Sequence, residues 1–198
     1  ASDPATMMRG LLLRARTEFD LRRWDSTIRS CNELEQHTRR LTATVVPNLE
    51  LLTAEALLLR GIAAANDGRY SDAITDLGLF IARYPTHDRH DEALLWLAES
   101  YERSNMLENA VAALEQLLNQ YPNSLRREEA LYNLGWAQFR LRKFDAATQT
   151  FDRLLAEFPR TSHAIDVTLR KADMLYLSKK YAEAARPVSY THLTLPTN

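Results

Sequence analysis

Three aromatic–proline pairs, Tyr84-Pro85, Tyr121-Pro122 and Phe158-Pro159, recur at a constant step of 37 residues. The same 37-residue step links Gly61, Ala98, Gly135 and Ala172, then Tyr70, Leu107, Phe144 and Tyr181, then Ala73, Ala110, Ala147 and Ala184. Independent columns in one register define a repeat. A repeat of this length confines the chain to architectures in which one small unit stacks on the next.

Each unit reads as two helices. In the second unit Leu94, Leu97, Ala98 and Tyr101 follow helical spacing, as do Ala110, Leu114, Leu117 and Leu118. Short connections fall at Gly68-Arg69, Asn105-Met106, Arg142-Lys143 and Lys179-Lys180. Gly68 and Asn105 suit the left-handed backbone that ends a helix, and Arg142 and Lys179 suit it less well. After each proline a polar stretch starts the next helix, with Ser124 and Ser162 the best N-cap candidates. Small residues have a packing reason: Gly135 facing Ala147 would let the two backbones of the third hairpin approach closely. Leu114, Phe151 and Leu154 would then fill the space between neighbouring units.

This pattern resembles the tetratricopeptide repeat, through Leu97-Ala98, Tyr101, Ala110, Leu114 and Pro122 in one unit and Leu134-Gly135, Ala147, Phe151 and Pro159 in the next. The usual period is about 34 residues; the longer step here places extra residues between the proline and the following helix. That form, with Tyr121-Pro122-Asn123-Ser124 ahead of Glu129-Ala130-Leu131-Tyr132-Asn133-Leu134-Gly135, is similar to repeats of bacterial envelope proteins. Those are the outer-membrane-protein assembly lipoproteins and the periplasmic partner of the Tol-Pal system. The likeness covers residues 54–186. It implies an all-α, right-handed superhelical solenoid of stacked antiparallel hairpins, a protein or peptide ligand, and a periplasmic or outer-membrane-associated setting.

The divisions follow the register: residues 1–47 form a divergent N-terminal hairpin, and 48–186 the tandem repeats (48–85, 86–122, 123–159 and a truncated 160–186). In the first hairpin Ala15, Trp24 and Thr27 align with Gly61, Tyr70 and Ala73 once about nine residues are inserted. Those residues would lengthen the second helix through Glu33 to Thr44 before Pro47 stops it. Residues 187–198 break the pattern, placing Pro187 inside a helix. Their first eleven residues match the translation of a sequencing-library transposon adapter, and the segment reads as non-native. The chain opens on Ala1-Ser2-Asp3-Pro4 rather than Met, as a fragment lacking its targeting segment would.

Composition excludes several classes. Five glycines and seven prolines in 198 residues argue against a turn-rich β protein. A net charge of −1 gives no electrostatic footprint for nucleic acid. The most apolar stretch, residues 49–65, is cut by Glu50, Glu55 and Arg60, so no segment reads as a membrane span. One cysteine, Cys31, excludes an internal disulfide and a cysteine-based zinc site, and its register places it as a buried, inert thiol.

No nucleophile–base arrangement, phosphate loop or metal motif occurs, so neither an enzyme nor a cofactor is expected. The run His87-Asp88-Arg89-His90-Asp91 has metal-binding residue types but no distant third ligand, and reads as a solvated loop with Asp88 at a helix start; His163 reads as a first-turn helix residue. In tetratricopeptide folds the first helices of successive units line the ligand groove. Their non-core faces carry Leu95, Glu99, Glu102 and Arg103 in the second unit and Tyr132, Trp136, Phe139 and Arg140 in the third. Exposed aromatics beside charges are the residue types of binding hot spots, although Trp136 and Phe139 could equally pack against adjacent helices. Glu99, Trp136 and Asp173 occupy the column where chaperone-tail receptors carry carboxylate-clamping Lys and Asn, which argues against that ligand. The expected function is therefore a binding scaffold, with a docking segment of a larger enzyme as the alternative and self-association through exposed repeat ends as a further outcome.

Overall fold

The computed structural model describes residues 3–39 and 48–177. Among them are helices α1 (Pro4–Asp20), α2 (Trp24–Thr38), α3 (Leu49–Asn66), α4 (Tyr70–Arg83), α5 (His90–Arg103), α6 (Leu107–Gln120), α7 (Arg127–Arg140), α8 (Phe144–Glu157) and α9 (Ala164–Leu177). No strand occurs among the described residues. The connection at Lys179-Lys180, the remainder of the fourth hairpin and residues 187–198 lie outside the described residues, as does the stretch to Thr44 expected to extend α2, which ends at Thr38. The chain divides into two compact units, Ala1–Ala113 and Leu114–Asn198.

The turns repeat more faithfully than the side chains do. Arg22, Gly68, Asn105 and Arg142 all take positive φ, at 55°, 79°, 58° and 59°. Each sits in the same pair of hydrogen bonds. Around Gly68 its own N–H reaches Ala65 O and the Arg69 N–H reaches Ala64 O; around Arg142 the pair is Arg142 to Phe139 O and Lys143 to Gln138 O. This is the Schellman closure, which satisfies carbonyls that a helix end leaves open. The two arginines accept the left-handed conformation although a Cβ disfavours it by about 1–2 kcal/mol. The closing bonds and the return of the second helix therefore outweigh local preference, and Arg142 is less of an exception than its residue type suggests.

The aromatic–proline segments also repeat bond for bond. His87 N–H donates to Tyr84 O, Ser124 N–H to Tyr121 O and Thr161 N–H to Phe158 O, at 3.0–3.1 Å. Each is followed by a second turn into the next helix, from His90 to His87 O, Arg127 to Ser124 O and Ala164 to Thr161 O. The N-cap expectation is corrected here. Ser124 Oγ accepts from Arg126 N–H at 3.0 Å, inside the loop ahead of α7, and no side chain caps α7 itself. At the next repeat the same role falls to Thr161, which is buried and accepts from His163 N–H at 3.2 Å, and not to the exposed Ser162.

In the α3–α4 and α7–α8 hairpins the core closes through a large side chain seated on a glycine. A Cβ built on Gly135 would lie 2.3 Å from Phe151 Cε1, and one on Gly61 would lie 2.8 Å from Leu77 Cγ. Gly135 is thus pressed by Phe151, a turn beyond the Ala147 expected from the repeat; Ala147 itself is fully buried. In the first unit, Phe80, Leu77 and Leu58 join Ile28 and Ala93 in one core, while Met8, Leu11, Leu34 and Cys31 form a second beside it. Burial pushes the Cys31 thiol up to about 12, so it is held as an unreactive thiol.

In the second unit the ends of α7 and α8 are tied by a bidentate pair. Arg127 Nε and Nη2 donate to Glu157 at 2.6 and 3.0 Å, and Arg127 Nη1 reaches Leu118 O at 3.2 Å. The hydrogen bond from Arg127, seconded by Arg153, holds the Glu157 carboxyl at about 2 against the opposing effect of burial. Because the folded value lies below the unfolded one, this contribution is complete above the unfolded carboxyl's range and is lost as pH falls through about 2. Glu157→Gln should accordingly flatten the acid limb of a plot of melting temperature against pH between the ordinary carboxyl range and about 2. In the core, Gly135→Ala should destabilise by roughly 1–3 kcal/mol despite alanine's better helix propensity, because Phe151 has to move. An unchanged urea midpoint would show that the ring can yield freely.

Candidate functional site

The third-unit residues named from the sequence come together. On α7, Tyr132 and Trp136 meet edge to face with centroids 6.3 Å apart, and Trp136 and Phe139 do so at 5.6 Å. Phe139 continues to Phe144 at the start of α8, at 5.9 Å. Spacing of three and four residues along one helix produces this ladder of rings. All are partly exposed, and Arg140 beside them is exposed.

The helix that follows supplies the polar half of the face. His163 stacks on the Tyr132 ring at 3.9 Å, and the Tyr132 hydroxyl donates to Asp166 Oδ2 at 3.0 Å. Arg170 lies over the Trp136 ring, its guanidinium carbon 5.3 Å from the centroid. Asp173 fixes it through a 2.8 Å bond from Nη1, and Asp166 stands 3.7 Å from Nε, a nitrogen that is buried without a hydrogen-bond partner among the described residues. A cation over an indole face contributes about 0.5–1 kcal/mol at such half-exposed sites. Burial, with the Asp166 carboxylate, raises the Tyr132 phenol above its usual range. His163, just ahead of α9, is thus a contact residue rather than a first-turn bystander. Neither Asp166 and Arg170 of α9 nor His163 ahead of it was expected at the site. The signal was available: the 37-residue register places α9 as the next first helix.

On α5, in the second repeat, the expected residues are less alike. Leu95 is only 4% exposed and belongs to the packed interior. The apolar stripe of α5 is broad, burying Ala93, Leu94, Leu97 and Ala98 as well, and it takes in Leu95, which therefore offers no surface to a ligand. Glu99 and Arg103 remain on the surface 3.7 Å apart, with Glu102 partly exposed. The solvated reading of the 87–91 loop is also corrected. His87 packs its ring edge against Phe80 at 5.1 Å, and His90 is buried with Nε2 3.3 Å from Ile81 O. An apolar ring and a carbonyl made burial favourable, while Asp88 stays exposed and Arg89 takes the N-cap position of α5. Among the described residues no group of three or more His, Cys, Asp or Glu side chains is placed to hold a metal, and no helix is long and apolar enough to cross a membrane.

A part-buried charge cluster around Arg60 is structural. Arg60 of α3 donates to both Asp76 oxygens of α4 at 2.7 Å, and also to Asn32 and Glu35 of α2. Burial works against the Arg60 charge, and the bonds to Asp76 and Glu35 outweigh it, so the guanidinium is held protonated. A cavity of about 510 Å³ adjoins it, floored by Leu34 and Leu57 and rimmed by Arg39, Arg83 and Tyr84. Every Arg60 nitrogen that bonds does so inside the protein, which ties three helices together.

An all-α chain of hairpins in one register, with Schellman turns and glycine-seated large side chains, is a tetratricopeptide-type repeat protein. The chain belongs to the YfiO family of outer membrane lipoproteins, whose model matches residues 52–186, close to the span read from the repeats. Solved structures share the fold. MamA from Desulfovibrio magneticus RS-1 (residue 41 to the end) superposes with a TM-score of 0.70 at 18% identity, over 93% of this chain and 90% of that one. A putative kinesin light chain from Podosopora anserina with nearly identical TPR-like repeats gives 0.68 at 14% identity, over 93% and 92%. MamA of AMB-1 gives 0.70 at 17%, over 91% and 87%. A search of curated proteins finds no match.

The Arg60 cluster yields a clear expectation. Asp76→Ala would leave a buried guanidinium short of its main partner and should cost about 3–5 kcal/mol in a denaturant titration, with Asp76→Asn milder.

Proposed function

We propose that this chain is a non-catalytic scaffold of the bacterial envelope that holds a segment of another protein on the inner face of its first helices, with Trp136 as the anchor. Protein binding is the general use of repeat folds of this type. The observation that carries the reading is the α7 aromatic ladder with Arg170 poised on Trp136. Partly exposed tryptophan, tyrosine and arginine in contact are the residues that dominate binding energies. Tyr132, Phe139 and Arg140 complete the contact set around Trp136 on α7, and Glu99, Glu102 and Arg103 are taken separately as the ligand-facing residues of α5. Residues 1–47 are in this reading a divergent helical hairpin ahead of the tandem repeats in 48–186. The envelope setting rests on membership of an outer membrane lipoprotein family. A docking segment of a larger enzyme is the alternative, and the uninterrupted gene separates the two.

Photo-cross-linking from position 140 in cells identifies the partner, and its affinity can then be measured against variants. Trp136→Ala should weaken binding by about 2 kcal/mol or more while the fold survives. A tryptophan serving only the core would instead lose roughly 3–5 kcal/mol of stability. Unfolding without a specific binding defect would therefore overturn the proposal.

A further inference from the structure

Two of the turns that close hairpins carry the same kinds of side chain on the same backbone. Phe19-Asp20-Leu21-Arg22-Arg23-Trp24-Asp25 joins α1 to α2, and Phe139-Arg140-Leu141-Arg142-Lys143-Phe144-Asp145 joins α7 to α8. In both, the left-handed residue is an arginine, a second cation follows it, and an aromatic residue opens the next helix. That aromatic residue meets the phenylalanine ahead of the turn, Phe19 with Trp24 at 5.3 Å and Phe139 with Phe144 at 5.9 Å. Gly68 closes the same turn with no side chain, so closure requires no cation. Arg23 and Lys143 stand at the N-cap positions of α2 and α8, yet their side chains make no capping bond. Among the described residues no ion pair or side-chain hydrogen bond holds Arg22, Arg23, Arg142 or Lys143. Arg142 rests only on the Phe144 ring, 5.9 Å from its centroid.

Exposure of these tips belongs to the repeat and not to the ends of the chain. Gly68, Arg69, Asn105 and Met106, at turns preceded and followed by described hairpins, are exposed as well. All four cations are exposed; Leu21, just before the first doublet, is 58% exposed, and its counterpart Leu141 is half-buried. Carboxylates near the first turn are largely held elsewhere, Asp25 by Arg29 and Arg69 at 2.6 and 2.8 Å and Asp67 by Arg69 at 2.8 Å. Exposed Asp20 there, and Asp145 at the second turn, offset part of the charge. A turn tip is convex and gives an extended segment no groove, whereas a flat surface meets it directly. Cations on flexible stems beside an apolar tip and a partly exposed ring are the residue types that seat at a phospholipid interface.

We propose that these two turns are contacts for an anionic phospholipid surface, Leu21 entering the interface while Arg22, Arg23, Arg142 and Lys143 meet lipid phosphates. Each turn is a separate contact within its own unit. Lipid contact gives a use to two arginines held in left-handed backbone, where glycine is the favoured residue. It does not depend on a ligand at Trp136.

The test is co-sedimentation of the full chain with vesicles of phosphatidylcholine, alone or mixed with phosphatidylglycerol, over a salt series. Wild type should partition onto the mixed vesicles, far less onto phosphatidylcholine, and less as salt rises. Arg22→Glu with Arg23→Glu, and Arg142→Glu with Lys143→Glu, should each lower the partition coefficient about tenfold or more. Arg9→Glu with Arg160→Glu changes the net charge equally at exposed positions away from both turns, and should leave partitioning nearly unchanged. Arg142→Gly should keep or raise the melting temperature, because glycine suits the turn, and still weaken binding about fivefold. Equal binding to both vesicle types would overturn the proposal. So would turn variants that bind like wild type, or a control pair that loses as much as they do. Capture of soluble polyglutamate without capture of vesicles would overturn it in favour of an acidic protein partner. Circular dichroism checks folding, and Arg22→Gln with Arg23→Gln repeats the test if a glutamate variant loses helix.

Discussion

The close approach of two helices at a glycine sets the geometry on which the hairpins of this protein depend. Helix axes pack about 8–10 Å apart, depending on the side chains at the contact. Gly135 removes one of those side chains, and the Phe151 ring occupies the space directly over its backbone. Gly61 and Leu77 do the same in the first unit, at the same sixteen-residue separation. A large residue seated in this way is buried by its own hairpin, and the hairpin's outer faces are left to bury against neighbours. Stacking follows from that division, because a two-helix element cannot cover its remaining apolar surface alone.

The repeat was legible in the sequence because it is written in residue types with strong local physics. Proline cannot continue a helix, glycine admits left-handed backbone, and alanine columns mark close contacts. The turns at Arg22 and Arg142 were harder to read, since arginine has no preference for positive φ. Their conformation is imposed by the bonds that close the helix end, which depend on backbone register and on no side chain. The cap positions failed for a related reason. Ser124 was read as a cap from its hydroxyl, but the double turn after each aromatic–proline pair spends that hydroxyl one step earlier, on Arg126.

The candidate site was legible only in part. Helical spacing put Tyr132, Trp136 and Phe139 on one stripe, and the structure keeps them there. Spacing along one helix says nothing about what the next helix brings. His163, Asp166 and Arg170 enter through a tertiary contact about one repeat away in sequence, so their roles emerge only when register is followed from hairpin to hairpin. Leu95 shows the converse: a position on the groove column can be buried when the stripe beside it is broad. Column membership gives a direction on the helix, and burial decides whether that direction meets solvent.

Charge is distributed by a different logic on the two sides of the helices. Arg60 and Asp76 are paired inside, where leaving either unpaired would be costly, and Arg60 also reaches the half-exposed Glu35, so that its bonds join α2, α3 and α4. Arg170 is held differently. One of its nitrogens bonds Asp173, another stands 3.7 Å from Asp166, and its flat face rests on an indole. A guanidinium so placed is oriented by the ring and by two acids of its own helix. The same residue type therefore joins three helices at Arg60 and is held along a single helix at Arg170, and the difference is set by which helices supply the acceptors.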